Sequence, residues 1–257
     1  MALPRDRVVF ITGASSGIGR ATAEAFLRDG ARVAVCARRE IRDLDALCLR
    51  CDVRNREEVR KAVDAAVERF GALHVLVNNA GMGVYAPMAD LSDGDMEDIF
   101  RTNVYGPVYA VQAALPHLRK SRGQIINVSS ILARTTIPYG VAYCMTKHAL
   151  HSFSEGLRVE LKPHGVKVIE VGPGLTATAF QSSARLTGVS RAPSFSDKRR
   201  GWPPEKVAEA ILRASKKGKR EVWLTLDGKA FMFIHDAFPR LADWGLAKWA
   251  RRFEPPR

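Results

Sequence analysis

The run Arg7-Val8-Val9-Phe10-Ile11 continues into Thr12-Gly13-Ala14-Ser15-Ser16-Gly17-Ile18-Gly19, and the reading of these residues decides the fold. Arg7 to Ile11 reads as a short strand buried on both faces, as in a parallel sheet. After the glycines, Arg20 to Arg28 has helical periodicity that ends at Gly30. Strand, glycine loop and helix are the context that a phosphate cradle requires. Glycines let the backbone approach a pyrophosphate, which sits at the positive end of the helix. The competing reading is a tight turn without a ligand; three glycines at this spacing argue against it.

Apolar runs and helical stretches alternate along the rest of the chain. Arg32 to Ala37 reads as the second strand and Ala46 to Val53 as the next, with Asp52 at its end. Asn55 caps a helix that stops at Gly71, with Glu58 placed for a capping box. Leu73 to Val77 is a strand running into Asn78-Asn79-Ala80-Gly81, and a long helical region containing Asn103 follows. Gln124 to Val128 ends in Ser129-Ser130, and a helix carrying Tyr143 runs to about Leu161. Val166 to Val171 ends in Gly172-Pro173-Gly174, Pro203-Pro204 opens a helix to Ser215, and Glu221 to Leu226 is the last strand. This alternation predicts an α/β fold with a doubly wound parallel sheet. Ligands of such sheets bind at the carboxyl ends of strands, where most of the polar features fall.

The second strand ends in Arg38-Arg39, where a nicotinamide-binding fold reads the adenosine ribose. An acidic residue there holds a free 2′-hydroxyl, whereas guanidiniums pair with a 2′-phosphate. The pair favours NADP(H) over NAD(H), with Glu40 a discordant charge expected to point away. Only about a dozen residues separate Arg39 from Asp52, enough for one turn of helix at most, over Leu44 to Leu47.

Tyr143 and Lys147 are four apart on a helix and share one face, and Ser130 lies thirteen residues before the tyrosine. A free phenol titrates near 10, and a fixed ammonium beside it favours the phenolate. Reaching pH 7 needs about 4 kcal/mol of differential stabilisation, more than one surface lysine supplies. A cofactor's positive ring would have to help. Alone, a tyrosine and lysine at this spacing are more often a packed ring and a solvated charge.

The 257 residues carry a net charge of +13, and from Arg185 onward seventeen Lys or Arg stand against eight Asp or Glu. No nucleic-acid motif or aromatic platform accompanies this excess, so no nucleic-acid partner is expected. No apolar run is long enough to span a membrane and no secretory signal is visible at Met1 to Arg7. Cys36, Cys48, Cys51 and Cys144 show neither a disulfide framework nor metal-ligand spacing, so no metal is expected and reduced thiols in a cytoplasmic setting are.

Taken together, Thr12 to Gly19, Asn78 to Gly81, Asn103, Ser130, Tyr143 with Lys147, and Pro173-Gly174 with Thr178 resemble, in order and spacing, the short-chain dehydrogenase/reductase family. The resemblance covers residues 5–180. It implies a single Rossmann-type three-layer domain over residues 1–257, an NAD(P)(H) cofactor, and a homodimer or homotetramer. Tyr143 would be the general acid in carbonyl reduction and the base in alcohol oxidation. Lys147 would lower its pKa and bind the nicotinamide ribose. Ser130 would hydrogen-bond the substrate oxygen, and Asn103 would hold a water linking Lys147 to solvent. Gly13, Ser15, Ser16, Gly17, Ile18 and Gly19 would line the pyrophosphate and adenosine. Asp52 and Val53 would meet the adenine, and Asn79, Ala80 and Gly81 the adenosine ribose. Pro173, Gly174, Thr176 and Thr178 would orient the carboxamide.

Residues 179–203 correspond to a substrate lid, with Phe180, Leu186, Phe195 and Trp202 suggesting an apolar or aromatic carbonyl substrate; a plain flexible loop is the alternative. Residues 228–257 form a helical extension, in which Phe231, Ile234, Phe238, Leu241 and Trp244 fall at helical spacing around Pro239. With Trp249, Lys248, Arg251 and Arg252, the stretch 230–253 suits packing on its own domain or a second subunit. An anionic membrane surface is the less favoured partner. Three functions remain open: a soluble NADPH-dependent carbonyl reductase or alcohol dehydrogenase, the same chemistry on a lipid-like substrate at a membrane, or a non-catalytic NADP-binding regulator.

Overall fold

Val8, Val9, Phe10 and Ile11 are all fully buried, which requires cover on both faces of the strand they form. The computed structural model describes residue 4, residues 6–193 and residues 201–253. The strands are β1 (Val8–Thr12), β2 (Arg32–Ala37), β3 (Leu47–Arg50), β4 (Val75–Asn78), β5 (Val84–Tyr85), β6 (Gln124–Val128), β7 (Lys167–Gly172), β8 (Arg185–Leu186) and β9 (Glu221–Trp223). The helices are α1 (Gly17–Arg28), α2 (Arg56–Phe70), α3 (Asp93–Phe100), α4 (Gly106–Ser121), α5 (Val141–Glu160), α6 (Pro204–Lys217), α7 (Leu226–Ala237) and α8 (Pro239–Ala250). Seven strands make one parallel sheet in the order β3-β2-β1-β4-β6-β7-β9, and β5 pairs with β8 alone.

Alternate residues of each strand feed two separate cores. Val8, Phe10, Leu76 and Ile125 pack under α2, α4 and α5, together with Val63, Ala114 and Leu157. Val9, Ile11, Val77 and Ile126 pack on the other face against α1 and α6, through Phe26, Val207 and Ile211. This is the doubly wound, single-domain Rossmann arrangement. The strand order reverses between β1 and β4, so their carboxyl ends open the crevice in which such sheets hold ligands.

Local chemistry explains the element ends. Asn55 accepts from the N–H groups of Glu57 and Glu58 at the start of α2, and Gly71 closes that helix at φ 78°. Glu58 accepts from the side chain of Asn55 at 3.0 Å and from the N–H of Asp52 at 2.8 Å, rather than from the backbone N–H of its cap. No helix forms between β2 and β3. Arg20 instead donates to the carbonyls of Arg42 and Asp43, and Asp43 turns the chain at φ 55°. β3 is shorter than predicted, so Asp52 and Val53 lie just beyond it. The last strand stops at Trp223 rather than Leu226, because the chain turns at Thr225 to begin α7.

Phe195 and residues 194–200 of the predicted lid, and residues 254–257, lie outside the described residues. The described part of this segment is held at two points: β8 pairs with β5, and Thr176 bridges to Trp202. The extension divides its apolar residues between two faces. Phe231, Leu246 and Trp249 pack into a third cluster around Tyr143, while Phe233, Phe238, Leu241 and Trp244 are more than half exposed. Phe231 thus leaves the stripe that its spacing suggested, and Leu226 and Phe233 join it.

Gly13 sits at φ 70°, and a Cβ there would come within 2.6 Å of the Ala80 backbone; Gly71 also has positive φ but open space around it. Gly71→Ala is therefore expected to cost only the left-handed strain, about 1–2 kcal/mol. Gly13→Ala is expected to cost more, because a backbone-to-backbone overlap is added. Equal losses in urea unfolding would contradict the close approach.

Candidate active site

Thr12 and Asn79 fasten the two loops that leave β1 and β4. The Thr12 hydroxyl accepts from the N–H groups of Asn79 and Ala80, both at 3.1 Å. The Asn79 amide donates back to the carbonyls of Thr12 and Gly13, both at 3.0 Å. Gly19 is required by the same stitching, since a Cβ there would lie 2.4 Å from that amide. Gly13 and Gly19 therefore serve the packing of the loop on its neighbour. Gly17, at φ 58°, meets the Thr178 methyl across the loop.

The first turn of α1 begins at Gly17 with no side-chain cap from Ser16 and no acidic residue. Its N–H groups are left for an anion. The Arg39 guanidinium reaches over this loop, donating to the hydroxyls of Ser15 and Ser16 at 3.4 Å each. Glu40 points away and pairs with Arg42 at 2.6 Å. Arg38 is exposed, and its charge acts on Asp52. Burial pushes the Asp52 carboxyl up, but the hydrogen bonds and charge of Arg54 more than offset this and hold it low. Val53 is buried against Gly106. The glycine loop, open helix end and guanidiniums fit a phosphate-bearing dinucleotide.

Ser130, Tyr143 and Lys147 are brought together at the carboxyl end of β6. Ser130 Oγ accepts from the Leu132 N–H at 3.1 Å, which leaves its proton for the Tyr143 phenol beside it. Lys147 Nζ donates to the Val128 carbonyl at 3.2 Å and lies 5.6 Å from the centre of the tyrosine ring. Phe180 and Tyr85 flank that ring at 5.7 and 6.1 Å between centroids. This aromatic wall keeps the site dry. Burial pushes the phenol well above its ordinary value, the Ser130 hydroxyl opposing only part of this. Burial also lowers Lys147 to about 8, against the charge of Glu170. The protein alone therefore does not make the phenol acidic.

Asn103 lies on a π-turn, Arg101–Tyr105, between α3 and α4. Its side-chain oxygen accepts from the Met82 N–H at 2.8 Å, and its amide donates to the Met82 carbonyl and to Thr146 Oγ1. The side chain thus clamps the loop after β4 to α5. A water would have to be held by a backbone carbonyl that the irregular turn frees. Pro173 accepts from the Ile131 N–H at 3.0 Å, which joins its loop to the turn after Ser130. Gly174 is packed on Thr225, Thr176 bonds back to Gly174, and Thr178 caps Phe180.

Sequence reasoning missed the aromatic flank of Tyr85, since a two-residue strand carries no periodic signal. It also missed the thiol contact between Cys36 and Cys51, which lie on the neighbouring strand β2 and just past β3. That hydrogen bond and burial push Cys36 well up. Cys48 and Cys51, three apart in sequence, are respectively exposed and buried.

The buried amine leaves a stability signature. Lys147 titrates near 8 when folded and near 10.5 when unfolded, so between these values only the unfolded chain holds the proton. Stability from this group therefore rises with pH across that window. Lys147→Met lacks this titration, so its stability relative to the wild type should fall by on the order of 3 kcal/mol from pH 7 to pH 10.5. Parallel stability curves in urea would contradict the burial of a charge.

Comparison with known proteins agrees with this fold. Residues 7–187 match the short chain dehydrogenase family model. An uncharacterized oxidoreductase of Bacillus subtilis, YxnA, is 34% identical, over 93% of this chain and 71% of its own. A 3-ketodihydrosphingosine reductase of Bacteroides thetaiotaomicron is 35% identical, over 81% of this chain and 83% of its own. A short chain dehydrogenase of Burkholderia cenocepacia, solved in complex with NADP, superposes with a TM-score of 0.81 at 27% identity, over 94% and 98% of the two chains. On the fold, the arrangement of its site and these matches, the chain belongs to the short chain dehydrogenase family of oxidoreductases.

Proposed function

We propose that the protein transfers hydride between NADP(H) and a carbonyl or secondary alcohol, with Ser130, Tyr143 and Lys147 as the catalytic residues. The observation that carries this is the meeting of serine, phenol and buried amine in one dry pocket beside the glycine loop. When bound, the nicotinamide supplies the hydride and a positive ring in its oxidised form. Tyr143 gives its proton to the substrate oxygen in reduction and takes it back in oxidation. The Ser130 hydroxyl, no longer needed by the phenol, donates to that oxygen as charge develops. Lys147 holds positive charge beneath the phenol, and proton return runs along the Asn103 backbone.

The choice of NADP over NAD rests on Arg39 above Ser15 and Ser16, with Arg38 beside it. Asp52 and Val53 on one side, and Asn79 to Gly81 on the other, bound the adenosine; Pro173, Gly174, Thr176 and Thr178 bound the nicotinamide end. The part of residues 179–203 that faces Tyr143 is the lid, and Phe180 shapes a pocket for an apolar or aromatic substrate. The assembly is a homodimer or homotetramer in the cytoplasm; exposed Tyr105 and Met145 on the outer side of α3 to α5 suit such a contact.

Turnover with a panel of aldehydes and ketones, NADPH against NADH, tests the reading. Tyr143→Phe is expected to lose about 10²–10⁴-fold in kcat. Arg39→Ser is expected to raise KM for NADPH about 10-fold or more while leaving that for NADH unchanged. Full activity in Tyr143→Phe would refute the mechanism. No turnover in the wild type despite tight NADPH binding would favour the regulator.

A second reading places the same chemistry on a lipid-like ketone at an anionic membrane. It is favoured by the exposed stripe of Phe233, Phe238, Leu241 and Trp244, rimmed by Lys229, Arg240 and Lys248, although Asp227, Asp236 and Asp243 dilute the charge. The named relative that reduces 3-ketodihydrosphingosine points the same way. Among the described residues no helix is long and apolar enough to cross a membrane, so contact would be at the surface. Co-sedimentation with phosphatidylglycerol vesicles should fall when Phe233 and Trp244 are both changed to Ser. Equal sedimentation of the two proteins would remove this reading.

A further inference from the structure

Tyr143, Lys147, His151 and Glu155 follow one another at intervals of four along α5, so they share one side of the helix over about three turns. The proposed mechanism uses only the first two. Below them, on the next strand, Glu170 projects from β7 toward the same helix face. Its side chain is fully buried, an unusual place for a carboxylate, and one oxygen is bonded to His151 Nδ1 at 2.7 Å. His151 in turn faces Glu155 at 3.8 Å, near the surface.

Burial raises the Glu170 carboxyl, and the His151 ring and the nearby Ser129 hydroxyl oppose this only in part. A buried carboxylate carries a large penalty unless cations compensate it. Of the charged groups around it, His151 draws the carboxylate and Glu221 repels it. Arg158 draws it from farther along α5, and Arg220 beyond Arg158 lies toward the surface. One turn before His151 on the same face of α5 stands a further cation, Lys147, which donates to the Val128 carbonyl at 3.2 Å. Val128 pairs with Val171, the residue after Glu170, so the amine and carboxylate approach neighbouring strands at adjoining positions.

We propose that Glu170, oriented by His151, is the buried counter-charge that keeps Lys147 protonated, so that the tyrosine–lysine pair is set from beneath by a carboxylate–histidine pair. Glu170 is a positioning residue here: it touches neither substrate nor cofactor, and acts through the lysine. This extends the catalytic reading above and rests on it only for the consequence to activity. The charge coupling itself is a property of the folded protein. Burial alone would strip the lysine of its proton toward neutral pH, and the carboxylate works against that.

Titration of Lys147 in ¹³C-lysine-labelled protein, assigned with Lys147→Arg, tests the coupling without turnover. In Glu170→Gln the midpoint of Lys147 is expected to fall by about one pH unit or more. Coupling is reciprocal, so in Lys147→Met the Glu170 carboxyl midpoint is expected to rise, and this second variant serves if Glu170→Gln fails to fold. Unmoved midpoints in the folded variants would overturn the proposal. In the rate profile, Glu170→Gln should reduce a carbonyl near the wild-type rate at pH 6 and fall about tenfold behind at pH 9, where a merely structural defect would slow both alike. Turnover retained in Tyr143→Phe would sink the catalytic reading and leave the midpoints as they are, so the two failures are told apart.

Discussion

Desolvation of a phenol and an amine in one pocket is the constraint on which the site depends. Water is kept from Tyr143 by Phe180, Tyr85 and the third apolar cluster, and from Lys147 by the ends of β6 and β7. Each group resists its charged form there: the phenol is pushed up and the amine down. A single hydrogen bond in water would not set such a pair, but in a dry pocket one added charge has a large effect. In the proposed reaction the protonated phenol suits reduction, and oxidation would call on the positive ring of the oxidised cofactor to make it a base.

The scaffold supplies this pocket through one topological fact, the reversal of strand order between β1 and β4. Two loops must diverge there, and Thr12 with Asn79 ties them at a fixed separation. Once tied, the glycine loop faces one way and the loop after β4 lies under Asn103, which clamps it to the helix that carries Tyr143 and Lys147. Phosphate cradle and acid–base pair are thus held on one rigid frame.

Much of this was legible in the sequence because its signals are local. The strand-loop-helix unit at 7–28, the cap at Asn55 and the spacing of Tyr143 from Lys147 each depend on residues within a few turns of one another. The family resemblance marked Ser130, thirteen residues before Tyr143, and its hydroxyl lies beside the phenol. What was missed depends on contacts far apart in sequence. β5 and β8 are two-residue strands that exist because they pair with each other, and the turn at Thr225 follows from how α7 seats on the turn after β6. The Asn103 side chain is spent on Met82 and Thr146, partners no spacing announces. The C-terminal stripe shows the limit most plainly. Helical spacing gives which apolar residues align, but the turn at Phe238 between α7 and α8 decides which of them face the domain.

Burial holds Tyr143 protonated in the free protein, and in the proposed oxidation a bound nicotinamide's positive ring would bring its midpoint down. Its most direct measurement is the titration of Tyr143 by ¹³C NMR of tyrosine-labelled protein, free and saturated with NADP⁺, with Tyr143→Phe identifying the signal. The account predicts no ionisation of Tyr143 below pH 10 in the free protein and a midpoint several units lower in the complex. A midpoint that does not move when NADP⁺ binds would contradict it.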